Sequence, residues 1–268
     1  MILSKEDIKE IFIDQLCKDY SCSRNQLVSP NNVFVKRTLI DGRRRFKDDD
    51  VLVKVLCIGG KVVFACREDV LERMEAEFKD VKAEWFSEFP TLLKLDNICR
   101  EYGYYLEDFH HFCLPADNDY FSDQELEAMA SQYEIKIYEA DELECFRGDK
   151  RFLRALSFIE SAPDMIAITA SKDGKILGMS GVSADSENLW QIGIDVDPSA
   201  RGNNIGALLT VLLKREVLKR GKVPFYGTNE SHIQSQRVSV KSGFIPAWAE
   251  LNTEPIGSNN NLMFGHLE

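Results

Sequence analysis

The sequence lacks most of the signatures that would settle a function at sight. No C-x-x-C pair occurs, and the seven cysteines are an odd number. That is the usage of a reducing compartment rather than of a disulfide framework. No apolar run approaches the length that spans a membrane. The opening residues, Met1 to Asp7, mix charged and apolar types, without the uninterrupted apolar stretch of a signal peptide. The expectation is a cytoplasmic protein with no membrane partner. Basic charge is also scarce: 33 Lys and Arg stand against 44 Asp and Glu, a net charge of -11. A field of that sign repels nucleic acid and mildly favours cationic amines or basic peptides. Neither G-x-G-x-x-G nor a P-loop ending in Gly-Lys-Ser/Thr is present, which opposes a nucleotide-binding fold. Internal repeats and low-complexity segments are missing as well.

What is there suits a folded chain. With 268 residues, 44% hydrophobic and 29% charged, a core can be built in one large domain or two small ones. Ser4 and Asp7 have capping spacing ahead of the apolar stripe Ile8, Ile11, Phe12 and Leu16, which predicts a first helix. A strand is expected over Val33 to Ile40. The arginines at 43 to 45 can bind phosphate, but Asp48 to Asp50 follow at once and argue for a solvated hairpin. Gly59-Gly60 between two β-rich runs reads as a hairpin, followed by helices from about 68 to 79 and from 91 to 102. Residues 102 to 121 carry seven aromatic rings, as a core or a seam would. His110, His111 and Cys113 lack the second pair that a metal site needs, so no metal is expected. Ser122 caps a further short helix. Then follow a strand at 133 to 137, helical sequence over 141 to 160, a hairpin turning on Asp173-Gly174, a strand from Leu189 to Val196, a helix from 204 to 220, a strand at 223 to 227, and a helix from Ser231 to Ser242 with capping-box spacing to Gln234.

The chemistry lies between residues 192 and 209. Strand Leu189–Val196 feeds the loop Arg201-Gly202-Asn203-Asn204-Ile205-Gly206-Ala207, and the loop feeds a helix whose apolar face includes Ile205, Leu208, Leu209, Leu212, Leu213 and Val217. Unpaired N–H groups in such a first turn, together with the helix dipole, make an anion site. Gly202, Gly206 and the small Ala207 let a phosphate approach the backbone.

This loop resembles the acyl-coenzyme A pyrophosphate loop of the GNAT superfamily, R/Q-x-x-G-x-G/A. Arg201 fills the first position and Gly206 the last, while Asn204 stands where the middle glycine is usual and can take the left-handed conformation that position needs. Val196-Asp197-Pro198 before the loop and Lys241-Ser242-Gly243-Phe244 at the end of the second helix extend the likeness over about residues 130 to 268. The resemblance, to bacterial GNAT proteins with an N-terminal extension, implies an α/β (α+β) fold: a GNAT-like mixed sheet with flanking helices in the C-terminal half, residues 122–268, preceded by a smaller α+β domain, residues 1–121. The order of elements in that first part leaves room for a degenerate GNAT-like copy.

The same resemblance implies N-acetyl transfer from acetyl-CoA to an amine of a small molecule or peptide. The coenzyme would be held by Ile194, Asp195 and Val196 of the strand, by Arg201, Gly202, Asn203, Asn204, Ile205, Gly206 and Ala207 of the loop, and by His232. A Tyr often found in the second helix is replaced by Ser239, an Asn by His232, and a strand carboxylate by Trp190. Tyr226, His232 and Ser239 are therefore the catalytic candidates, Tyr226 as a proton donor to sulfur and His232 as a group that titrates near neutral pH. Packing is the alternative for Tyr226, and a helix cap for His232. Asp195 alternates away from Ile194 and Val196, and Glu187 and Glu230 read as solvated. A domain that binds or senses acyl-CoA with little turnover is the rival function, and a homodimer is compatible with either.

Overall fold

The computed structural model describes residues 3–44 and 49–257. Helices α1 (Lys5–Asp19) and α2 (Arg24–Val28) precede strands β1 (Val33–Lys36), β2 (Val53–Ile58) and β3 (Lys61–Cys66). Helices α3 (Glu68–Phe78) and α4 (Phe89–Glu101), strand β4 (Tyr104–Pro115) and helix α5 (Asp123–Ala130) follow. Strands β5 (Glu134–Glu139), β6 (Asp164–Lys172), β7 (Lys175–Ser183) and β8 (Leu189–Val196) come next, then α6 (Ile205–Lys219), β9 (Val223–Asn229), α7 (Ile233–Lys241) and β10 (Phe244–Pro255). The described chain forms two compact units, one of residues 3–15, 42–44 and 111–247, the other of 16–41, 49–110 and 248–257.

In the second of these units β2 and β3 form the hairpin expected around Gly59-Gly60, β1 lies parallel to β3, and β10 pairs antiparallel with β2 from Ala249 to Asn252. Val70, Met74 and Phe78 of α3, with Leu95, Ile98 and Cys99 of α4, pack on Val55, Val62 and Phe64 of this sheet. Thr253 ties the edge of the pairing, accepting from the N–H groups of Leu52 and Val53 at 3.0 Å each.

The other unit is the one that carries the site. Strands β5 to β8 run antiparallel in succession, and β8 is parallel to β9. A parallel neighbour requires a crossover, and α6 supplies it. Ile205, Leu209, Leu213 and Val217 of α6 pack on Ile166, Ile168, Val182 and Ile192 of the sheet. Residues 140–156 cover the opposite face: Leu143, Phe146, Phe152, Ala155 and Leu156 meet Ala167 and Met179. The C-terminal end of α6 is fixed by Lys214, whose buried ammonium meets the Asp119 carboxylate and donates to the carbonyls of Ser242 at 2.6 Å and Gly243 at 3.3 Å.

Several expectations are corrected by packing. The strand at 33 is short, ending at Lys36. Residues 102–121 hold a 12-residue strand, β4, hidden in the sequence because its apolar and polar residues come in pairs and short runs rather than in alternation. The segment 141–160 is not a long helix but two short 3-10 turns, Ala140–Phe146 and Lys150–Phe152, followed by a turn at 153–155 and irregular chain packed on the sheet. Helix α7 begins at Ile233 with His232 as its cap residue, and the Ser231–Gln234 box does not form, because Ser231 donates to Asn229 instead. The turn expected at residues 41–50 falls partly on residues 45–48, outside the described residues.

Candidate active site

Strands β8 and β9 part company midway. Their paired residues run from Leu189 with Val223 to Ile192 with Tyr226, while β8 continues along β7 to Val196 and β9 continues to Asn229. The free edge of β8 therefore points its backbone groups at a gap, and the loop into α6 begins where that edge ends. Gly202 (φ +87°) and Asn204 (φ +59°) both take left-handed backbone, the conformation the sequence requires of Asn204. The Asn204 side chain does not cap the helix. It turns to α7, where its Oδ1 accepts a hydrogen bond of 2.7 Å from Lys241 Nζ.

The first turn of α6 is left with donors to spare. Leu208 is the first residue whose N–H closes a helical bond, to Asn204, and the first turn contains no acidic residue. The N–H groups of Ile205, Gly206 and Ala207 point out of the helix end with the positive pole of its dipole. A Cβ placed on Gly206 would lie 3.4 Å from Val196, 3.5 Å from Val238 and 3.7 Å from Ile194. The protein itself therefore does not demand glycine there. Arg201 is exposed, donates from Nε to the Val196 carbonyl at 3.4 Å, and has no carboxylate partner among the described residues. Free N–H groups, a glycine at 206 and a guanidinium without a carboxylate partner suit a pyrophosphate.

Tyr226 faces the α6 side, 2% exposed, with its hydroxyl 3.0 Å from Ser235 of α7. Burial pushes its phenol up to about 12, with the Ser235 hydrogen bond working the other way. Ser239, one turn on, is buried beside the Cys113 thiol. His232 is exposed at the start of α7. Partial burial holds its imidazole below the ordinary value, and the nearby charges of Arg154 and Arg201 add to that effect.

On the opposite face of β8 stands a clamp. Asp195 Oδ2 accepts from the backbone N–H groups of Arg154 at 2.8 Å and Ala155 at 3.0 Å. The carbonyls of the same two residues press onto glycines: a Cβ on Gly193 would come 1.8 Å from Arg154 O, and one on Gly181 2.0 Å from Ala155 O. Burial pushes the Asp195 carboxyl up, opposed by these two N–H bonds.

A model of the acetyltransferase (GNAT) family matches residues 124–244. The chain carries a GNAT acetyltransferase domain. No curated protein matches the sequence. Among solved structures, a GNAT-family protein from Novosphingobium aromaticivorans is 15% identical with a TM-score of 0.40, the match covering 56% of this chain and 66% of that one, just short of two thirds. An acetyltransferase from the GNAT family from Colwellia psychrerythraea is 12% identical with a TM-score of 0.46, over 95% of this chain and 98% of that one. YncA from Salmonella typhimurium, solved with its cofactor acetyl-CoA, is 14% identical with a TM-score of 0.33, over 47% of this chain and 96% of that one.

Within the GNAT domain the expected residues fall into two groups around β8. Ile194, Val196 and the loop from Arg201 to Ala207 lie at the free edge and at the α6 end, while Tyr226 lies on β9, His232 at the cap of α7 and Ser239 within α7. The side chain of Asp195 is turned away and spent on the clamp. Sequence reasoning missed Arg154 altogether. Its signal was indirect: glycines inside strands, here Gly181 and Gly193, mark a close backbone approach, and the approaching backbone is that of Arg154 and Ala155.

Proposed function

We propose that this GNAT domain transfers an acetyl group from acetyl-CoA to an amine. The observation that carries the reading is the separation of β8 from β9 beyond Ile192 and Tyr226, with an unbonded helix N-terminus at the end of the freed strand edge. The pantetheine arm would pair with the backbone of Ile194 to Val196, and the pyrophosphate would lie on the N–H groups of Gly202 to Ala207 with Arg201 beside them. The thioester would then sit near Ile192 and Tyr226.

In the transfer, the amine nitrogen attacks the thioester carbonyl carbon, the N–C bond forms, and the C–S bond breaks. Neutral His232, held in its basic form by burial and by the cations beside it, takes the amine proton. The departing thiolate takes the phenolic proton of Tyr226, which Ser235 orients. Strand N–H groups at the free edge of β8 face the developing oxyanion. Ser239 is a poor acid, and its part is to shape the buried wall beside Tyr226. No metal is needed in this chemistry. The acceptor is an amine of a small molecule or a peptide; a cytoplasmic bacterial setting and the division at residues 121 and 122 belong to the same proposal. Among the described residues no helix is long and apolar enough to cross a membrane.

One observation favours a second reading, an acyl-CoA-binding module with little turnover: the Tyr226 hydroxyl is already bonded and its ring is almost wholly buried. Calorimetric titration with acetyl-CoA, followed by thiol release across a panel of amines, separates the two. Binding with thiol release supports transfer; binding without release above background leaves the module; no binding defeats both. Tyr226→Phe should cut the turnover rate by about 100-fold with little change in coenzyme affinity, and an unaltered rate would remove the phenol from the mechanism.

A further inference from the structure

Arginines in this acidic chain are mostly engaged. Arg147 and Arg151, just before the clamped segment, are paired with Glu144 and Asp149, and Arg215 and Arg220 of α6 are paired with Asp119 and Glu139. Arg154 differs. Its side chain is exposed and has no hydrogen-bond or ion-pair partner among the described residues, although acidic groups outnumber basic ones by 11 in the whole chain. Its backbone, by contrast, is fixed: its N–H and that of Ala155 both donate to Asp195, and the carbonyls of the two residues lie against the faces of Gly193 and Gly181. A rigid backbone carrying an unpartnered guanidinium is how an anion site is preorganised.

Its position distinguishes it from Arg201. Ile194 and Val196 of β8 pack towards α6, where the coenzyme's pyrophosphate belongs. Gly193 and Asp195 alternate to the other face, and Arg154 lies over them. The backbone of Arg154 thus lies on the face of β8 away from α6, and both arginines are close enough to Asp195 and His232 to act on their charges. The amine has to reach the thioester from the side that the coenzyme leaves open. Arg154 is on that side, beside the group proposed to take the amine's proton.

We propose that Arg154 binds a carboxylate of the acceptor, so that the substrate is an amino acid-like amine rather than a simple amine. The inference rests on the acetyl-transfer reading of the same site. A guanidinium fork matches the two oxygens of one carboxylate, and with the carboxylate held there the amino group of the same molecule is brought to His232 and the thioester. Asp195 acts as the positioning residue, through the backbone of Arg154.

The test uses the full chain saturated with coenzyme A and titrated calorimetrically with the N-acetyl derivatives of the standard amino acids, each compared with its carboxamide. At least one carboxylate should bind, and its carboxamide should bind about tenfold more weakly or worse. R154Q should erase that difference and leave acetyl-CoA affinity within about twofold, while R154K, with a point charge but no fork, should restore only part of it. Substituting this exposed side chain keeps the backbone bonds to Asp195, so folding is not at stake. A carboxylate preference that survives R154Q, or no preference in the wild type, overturns the proposal and leaves acetyl transfer standing. Loss of acetyl-CoA affinity in R154Q also overturns it, by assigning Arg154 to a phosphate of the coenzyme. Failure of the wild type to bind coenzyme defeats both readings.

Discussion

Two glycines on neighbouring elements make opposite demands. Gly193 has the Arg154 carbonyl where a methyl group would go, and both atoms belong to backbone that cannot swing aside. Gly193→Ala should therefore cost about 2–4 kcal/mol of unfolding free energy, read as a shift in the urea midpoint. Gly206 has only ordinary contacts around its missing Cβ, and alanine is the better helix former by about 1 kcal/mol. Gly206→Ala should leave the protein as stable as wild type or slightly more so, whereas Gly206→Trp should abolish acetyl-CoA binding in a protein that still folds. Unchanged affinity in Gly206→Trp would show that the pyrophosphate does not lie there. His232 adds a pH prediction. Burial first, then Arg154 and Arg201, hold its value below 6.5, so the imidazole is neutral and basic above that point. The acid limb of the kcat/KM profile should have its midpoint below 6.5 and should vanish in His232→Gln, with a loss of about 100-fold at neutral pH. A limb that persists in the variant would assign it to another group.

Helix α6 shows how the site is held and how much of it can be read in advance. Its N-terminal turn faces the ligand, and its C-terminal half is anchored by Lys214, with a side chain 3% exposed against Asp119 and the carbonyls of Ser242 and Gly243. Removing the ammonium leaves a half-buried carboxylate and two carbonyls short of a donor, so Lys214→Ala should destabilise by about 3 kcal/mol. Burial works to raise the Asp119 carboxyl, but its bonds to Lys214 and Arg215 prevail and hold it below the ordinary 3.8. A depressed carboxyl stabilises the fold above its unfolded value and loses that contribution as pH falls through the folded one. The wild type should thus lose stability below about pH 4 more steeply than Asp119→Asn, and parallel acid curves for the two proteins would refute the assignment. The apolar stripe of α6, the Asp173-Gly174 hairpin and the left-handed Asn204 were legible because each is a local pattern. Strand β4 was not, since its apolar and polar residues come in pairs and short runs, nor were the short turns at 140–152, where packing on β6 and β7 overrides helical composition. The clamp on β8 escaped as well, because it joins residues 40 and 41 apart in sequence.

For the whole molecule, coenzyme binding is a stability statement. A ligand that binds only the folded protein stabilises it by RT ln(1 + [L]/Kd), about 2.7 kcal/mol at a hundredfold excess over Kd. That gain must appear as slowed opening of the backbone that touches the ligand. The net charge of -11 opposes an anionic coenzyme at long range, but the Debye length at physiological salt is about 8 Å, shorter than the span of the domain. Local donors at the head of α6, with Arg201, therefore decide the outcome. Hydrogen exchange followed by mass spectrometry, with and without acetyl-CoA, should show protection concentrated in residues 193–209, with a smaller gain in β9 and the start of α7. Strands β5 and β6 lie on the far side of β7 from the free edge and should gain only what the global term supplies. Protection that misses the first turn of α6 would remove the ligand from that turn, however tightly it binds elsewhere.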